Sequence, residues 1–172
     1  MRNQKVVVTG GGGFLGRAVV SKLLEEGARV TSFSRQYYPG IDHSGVVQVQ
    51  GDLADKEAVI KALSGVDTVF HVAAKAGIWG NRDDFFRANV TGTQHVIQGC
   101  LENRVKRLVH TSSPSVVFHG GDMEGVDESV PYPELNCYSI KNSFFRSLQS
   151  LQTRIECLIT FRPLLPPPVS NV

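Results

Sequence analysis

The residues best suited to chemistry stand close to the start of the chain. Lys5-Val6-Val7-Val8-Thr9 runs into four consecutive glycines, Gly10 to Gly13, and Gly16 follows after Phe14-Leu15. Glycines at such a turn let backbone N–H groups approach a phosphate that side chains would otherwise block. A helix starting there adds the partial positive charge of its first turn. Two registers fit. Gly11, Gly13 and Gly16 give G-x-G-x-x-G, and Gly10, Gly13 and Gly16 after Thr9 give T-G-x-x-G-x-x-G. Both point to a dinucleotide pyrophosphate. The plainer alternative is a tight strand-to-helix turn that binds nothing.

A second position bears on which dinucleotide. An NAD site usually carries Asp or Glu about 20 residues beyond the glycines, on the ribose 2′-hydroxyl. Here no acidic residue lies between Glu26 and Asp42, and Phe33, Ser34 and Arg35 occupy the expected place. Arg35 can pair with a 2′-phosphate and Ser34 can donate a hydrogen bond to it. The pattern favours NADP(H) over NAD(H). The competing reading is a solvated loop cation.

These residues need a frame, and the apolar pattern predicts one. Val6 to Val8 reads as a buried central strand. Phe14, Leu15, Ala18, Val19, Leu23 and Leu24 recur at helical spacing to about Glu26, with Gly27 as the cap. Ala28 to Phe33 predicts a second strand, Tyr37-Tyr38-Pro39-Gly40 a turn, and Val46, Val47 and Val49 a short third strand. Asp55 caps a helix carrying Val59, Ile60 and Leu63. Val66 to Ala73 predicts a fourth strand, and Ala74 to Asn81 a loop. About Asp83 to Asn103 predicts a long helix with Thr91 and Gly92 in its middle. Arg107 to Thr111 predicts a fifth strand and Ile155 to Phe161 a sixth. Strands alternating with helices require right-handed parallel crossovers. The expected fold is an α/β Rossmann-type doubly wound parallel sheet of order 3-2-1-4-5-6, with ligand over the C-terminal strand ends.

Bulk properties narrow the partners. A chain of 172 residues can bury one sizeable core. A formal net charge of +2, with Lys and Arg scattered singly, gives no case for nucleic acid or an anionic membrane. No apolar run approaches a membrane span. Cys100, Cys137 and Cys157 are too few and too dispersed for a disulfide framework or zinc site, which points to a reducing, cytoplasmic setting. The histidines show no metal-ligand spacing, and no metal is expected.

Five motifs in order carry a family resemblance. They are Thr9-Gly10 with Gly13 and Gly16; Gly51-Asp52-Leu53; Asp67 to Ala74; Asn89-Val90-Thr91-Gly92-Thr93; and Thr111 to Val117. Together they resemble the extended short-chain dehydrogenase/reductases. The wording His71-Val72-Ala73-Ala74-Lys75-Ala76-Gly77 is similar to the 3β-hydroxysteroid dehydrogenase-like branch. The match runs from Val6 to about Pro133.

The resemblance implies an oxidoreductase that moves hydride between NADP(H), or NAD(H), and a secondary alcohol or ketone of the hydroxysteroid or β-hydroxy/keto class. It implies that Gly10, Gly13, Phe14, Leu15 and Gly16 border the cofactor with Ser34 and Arg35. Asp52 and Leu53 would meet the adenine, and Ala73 and Ala74 the ribose and phosphates. Asn89 would support a proton-relay water. Ser113 would hydrogen-bond the substrate oxygen, with Ser112 as second choice. The family's tyrosine and lysine, four residues apart on one helix, correspond to Tyr138 and Lys141. Here the spacing is three, and Asn142 stands at the fourth place. On a helix this swings the lysine about 100° away from the family position.

From Leu135 onward there is no Gly, Ala or Asp. This segment is read as a diverged helix and strand with one residue lost near Tyr138, rather than as a shifted reading frame. Residues 1–163 are expected to form the dinucleotide-binding domain and 164–172, with Pro166-Pro167-Pro168, an extended tail. The family's substrate lobe is expected to be largely absent from this sequence, and weak turnover with measurable cofactor binding is expected with it. A homodimer is an expected assembly. The alternatives are a non-catalytic nucleotide-binding remnant and a sugar-nucleotide epimerase or dehydratase.

Overall fold

Three valines in a row, Val6, Val7 and Val8, make the centre of β1 (Lys5–Thr9), and each is at most 1% exposed. β-Branched side chains suit a strand covered on both faces. The structure, a computed structural model that describes residues 1–77 and 79–111, builds outward from it. The other strands are β2 (Arg29–Ser34), β3 (Val47–Gln50), β4 (Thr68–His71) and β5 (Arg107–His110). All pairings are parallel, in the order β3-β2-β1-β4-β5. This agrees with the expected Rossmann-type order as far as β5. The expected sixth strand and the proline-rich tail lie outside the described residues.

Alternation along β1 divides the interior into two cores. Val6 and Val8 pack with Val20 and Leu23 of α1 (Phe14–Glu25). Val7 packs on the opposite side with Val59 of α2 (Lys56–Ala62) and with Val96, Ile97 and Cys100 of α4 (Gly92–Glu102). A period of two therefore feeds both helix layers of a doubly wound sheet.

Local chemistry sets the ends. Gly27, at φ +75°, closes α1 with paired bonds from Gly27 N–H to Leu24 O (2.8 Å) and Ala28 N–H to Leu23 O (3.0 Å). Only glycine adopts that φ at no steric cost. Asp55 caps α2 by accepting the Ala58 N–H at 3.0 Å. The stretch expected as a turn at Tyr37 to Gly40 continues into a 3₁₀ segment, Pro39–Ser44, with Pro39 fixing its first turn.

The long helix expected from Asp83 to Asn103 is helical but not uniform. α3 (Arg82–Phe85) passes into a π turn, Phe86–Thr91, and then into α4. The Thr93 hydroxyl donates to the Asn89 carbonyl at 2.6 Å, competing with the backbone ladder there. Gly92 lies against Leu53, with a Cβ at 92 only 2.8 Å from Leu53 Cβ. The glycine in mid-helix thus serves close packing.

Candidate functional site

The turn between β1 and α1 is closed by its own backbone. Gly13 N–H donates to Gly10 O at 3.0 Å, and Gly10 N–H to Phe33 O at 2.8 Å. Gly10 sits at φ +71°, and a Cβ there would lie 2.9 Å from Ala73 Cα. A Cβ on Gly16 would collide with the Gly10 carbonyl, and one on Gly12 with the Tyr38 ring. A Cβ on Gly11 would come within 2.5 Å of Ser32 Oγ. Gly13 differs, since its Cβ would meet only Gly10 O, at 3.3 Å. Packing explains four of the five glycines, and the space beside Gly13 opens into a cleft.

That cleft, of about 490 Å³, lies over the C-terminal ends of the strands. Its size suits a cofactor or small ligand. Gly10, Gly13 and Gly16 line it, so the T-G-x-x-G-x-x-G register is the one that faces it. The first turn of α1 has no side-chain cap and no acidic residue. By contrast, α2 and α3 are capped by Asp55 and Asn81 and carry acids in their first turns. The uncapped N–H groups of α1 are suited to an anion. Phe14 and Leu15 also line the cleft, and Phe14 is 99% exposed at its rim.

The ends of β2 and β3 form the next wall. Ser34, Arg35, Asp52 and Leu53 all line the cleft. Ser34 Oγ is buried and has no hydrogen-bond partner among the described residues. An unmatched buried hydroxyl at a cleft is a natural contact for a ligand. Asp52 accepts the Ala54 N–H at 2.9 Å through Oδ1 and pairs with Arg87 Nη2 at 3.0 Å through Oδ2. Lys75 Nζ lies 2.9 Å from Asp84 Oδ2. That hydrogen bond is the main cause holding the Asp84 carboxyl below the usual carboxylate range, with smaller help from Arg87 and Arg35. Arg35 thus shares this charged rim.

The end of β4 forms the floor. Ala73, Ala74 and Lys75 line the cleft. Asn89 stands behind them on the π turn: its Oδ1 accepts the Lys75 N–H at 2.8 Å and its Nδ2 donates to Lys75 O at 3.1 Å. π Turns are frequent at functional sites because they re-aim side chains. The structure therefore gathers Gly10, Gly13, Phe14, Leu15, Gly16, Ser34, Arg35, Asp52, Leu53, Ala73 and Ala74 around one cleft, with Asn89 joined to it through Lys75. Ser113, Tyr138 and Lys141 lie outside the described residues.

Three cleft residues carry no signal in the glycine and strand patterns. Tyr38 lines the cleft, and its backbone is clamped by Gln48, Oε1 to Tyr38 N 2.9 Å and Nε2 to Tyr38 O 3.1 Å. Gln36 and Ala88 also line it. A signal for Tyr38 exists in hindsight, because Gly12 is a glycine that the phosphate turn does not require. No group of three His, Cys, Asp or Glu gathers as metal ligands among the described residues. None of their helices is long and apolar enough to cross a membrane.

Comparison with known proteins adds to this geometry. Residues 7–144 match the model of the 3-beta hydroxysteroid dehydrogenase/isomerase family. The chain is 50% identical over 133 residues to a 2-alkyl-3-oxoalkanoate reductase of Stenotrophomonas maltophilia, covering 76% of this chain and 40% of that protein. It is 42% identical over 129 residues to a sterol-4-alpha-carboxylate 3-dehydrogenase (decarboxylating) of Mus musculus, covering 75% and 35%. A solved short-chain dehydrogenase/reductase superfamily protein from Agrobacterium tumefaciens, with bound NAD, superposes with a TM-score of 0.74 at 29% identity. That superposition covers 85% of this chain and 45% of the solved one. The chain thus spans less than half the length of each of these proteins.

Proposed function

The chain belongs to the 3-beta hydroxysteroid dehydrogenase/isomerase family, and on that premise we propose that it binds a nicotinamide dinucleotide and serves hydride exchange with a secondary alcohol or ketone. The observation that carries this reading is the cleft itself. An uncapped helix start and an open space beside Gly13 converge on one cavity, which Ser34 and Arg35 also line. These features fit a dinucleotide. The substrate class that suits the relatives' names is a 3β-hydroxysteroid or a β-hydroxy/keto compound.

When bound, the nicotinamide supplies the hydride chemistry. The chain's own residues position and select. Gly10, Gly13 and Gly16 hold the pyrophosphate, with Phe14 and Leu15 at its edge. Ser34 and Arg35 take the 2′-phosphate, which makes NADP(H) the preferred form over NAD(H). Asp52 and Leu53 would meet the adenine, and Ala73 and Ala74 would stand beside the ribose and phosphates. Ser113 hydrogen-bonds the substrate oxygen, and Tyr138 gives or takes the proton there. Lys141 stands three residues after Tyr138 rather than the family's four, which is why turnover is expected to be weak, and Asn89 supports the proton path from behind Lys75.

The test is NADP⁺-dependent oxidation of a panel of hydroxysteroids and β-hydroxy ketones, followed as NADPH appears. The expected result is weak turnover that is lost in Tyr138→Phe and raised by inserting one residue between Ile140 and Lys141. Robust turnover undiminished in Tyr138→Phe would remove Tyr138 from the proton role.

A further inference from the structure

A closed circuit of hydrogen bonds lies beneath the cleft floor. Ala73 N–H donates to Thr9 Oγ1 at 3.2 Å. Thr9 Oγ1 lies 2.7 Å from His71 Nδ1, and His71 Nε2 lies 2.9 Å from Thr93 Oγ1. Thr93 donates to Asn89 O at 2.6 Å, and Asn89 holds both backbone groups of Lys75. Lys75 is two residues from Ala73, so the chain itself closes the ring. Thr9, His71 and Thr93 are all at most 1% exposed.

With a neutral imidazole, the direction of each of these bonds follows from the donors available. A carbonyl only accepts, so the one hydroxyl proton of Thr93 is committed to Asn89 O. Thr93 Oγ1 must then accept, which places a proton on His71 Nε2. In a neutral imidazole Nδ1 is then the acceptor and takes the Thr9 hydroxyl proton. The Thr9 oxygen is left to accept from Ala73. One tautomer, protonated at Nε2, satisfies all of the bonds at once.

The circuit begins and ends on backbone groups of residues that line the cleft. It links β1, the end of β4 and the π turn. Gly10 lies beside Ala73, since a Cβ on Gly10 would come within 2.9 Å of Ala73 Cα, so the circuit borders the glycine turn.

We propose that His71 is a positioning residue: by joining Thr9 to Thr93 it fixes the Ala73–Lys75 backbone at the height that a bound dinucleotide requires. This rests on the dinucleotide reading of the cleft. A buried polar network that is fully satisfied specifies one arrangement, and breaking one link leaves several groups unmatched.

The test uses the full 172-residue chain and substitutes Thr93, which does not line the cleft. Thr93→Val removes the hydroxyl at nearly constant volume, and Thr93→Ser keeps it. NADPH binding is measured by calorimetry, at a temperature where thermal melts show each variant folded. Thr93→Ser is expected to bind as wild type does, and Thr93→Val about tenfold more weakly. A lower melting temperature for Thr93→Val with unchanged affinity would overturn the positioning role and leave the dinucleotide reading intact. No binding by wild type would overturn both. Should Thr93→Val fail to fold, nitrogen-15 NMR of the wild-type imidazole keeps the proposal open to refutation. A proton on Nε2, unchanged on adding NADPH, is expected, and a ring protonated at Nδ1 alone, which could not donate to Thr93, would overturn it.

Discussion

Arg87 on the π turn meets Asp52 at the end of β3, Nη2 to Oδ2 3.0 Å, while the other oxygen of Asp52 accepts the Ala54 N–H at 2.9 Å. The two contacts differ in worth. The ion pair is exposed, and such pairs contribute about 0–1 kcal/mol. The backbone bond also shapes the connection into α2. Asp52→Ala is therefore expected to destabilise the chain by about 1 kcal/mol more than Arg87→Ala. Urea denaturation of both variants checks the order. Equal losses would show that the ion pair dominates.

Ser34 and Arg35 at the end of β2 face the cleft where an NAD site would carry an acid. Arg35→Asp should weaken NADPH and favour NADH. A charge-assisted contact is worth about 1.5–3 kcal/mol, or roughly tenfold to more than a hundredfold in affinity. Titration of both variants with both cofactors gives the answer. A wild type that prefers NADH would remove Arg35 as the phosphate partner.

Gly92 joins the π turn to the cleft. Because a Cβ there would come within 2.8 Å of Leu53 Cβ, Gly92→Ala must move the α4 start or the β3 end. Overpacking of this kind costs about 1–3 kcal/mol. Thermal melts should show a clear loss, although alanine is the better helix former. An unchanged or higher melting temperature would mean that Leu53 yields freely.

Cys100 is buried between α4 and the sheet, and burial pushes its thiol up from 9.0 to about 12. The thiolate is the reactive form, so the folded chain should protect Cys100 at neutral and mildly alkaline pH. In a Cys137→Ser, Cys157→Ser background, a thiol reagent should label Cys100 only as the chain unfolds. Labelling at the rate of a free thiol in the native state would contradict its burial.

Much of this was legible from particular residues. Val6 to Val8 followed by glycines announced the central strand and its turn, because β-branched runs and glycine clusters have few other uses at that spacing. The absence of an acid between Glu26 and Asp42 singles out Ser34 and Arg35, and both line the cleft. The register of the glycines was not legible, since both patterns share Gly13 and Gly16. It took the contact of Gly11 with Ser32, away from the cleft, to separate them. The π turn was hidden for a related reason. Side-chain periodicity over Asp83 to Asn103 reports a helix, but neither its π turn nor the Thr93 bond to Asn89. Tyr38 entered the site through a packing partner, Gly12, that lies 26 positions earlier in the sequence.

The central claim is that the glycine turn holds a dinucleotide, and Gly13 tests it most directly. Of the five glycines it alone has open space where a side chain would go, apart from the 3.3 Å approach to Gly10 O. Gly13→Val should therefore fold normally and block the ligand. Calorimetric titration of both chains with NADPH is the measurement. The account predicts saturable binding to wild type and none to a folded Gly13→Val. Equal affinity in the two chains would contradict it.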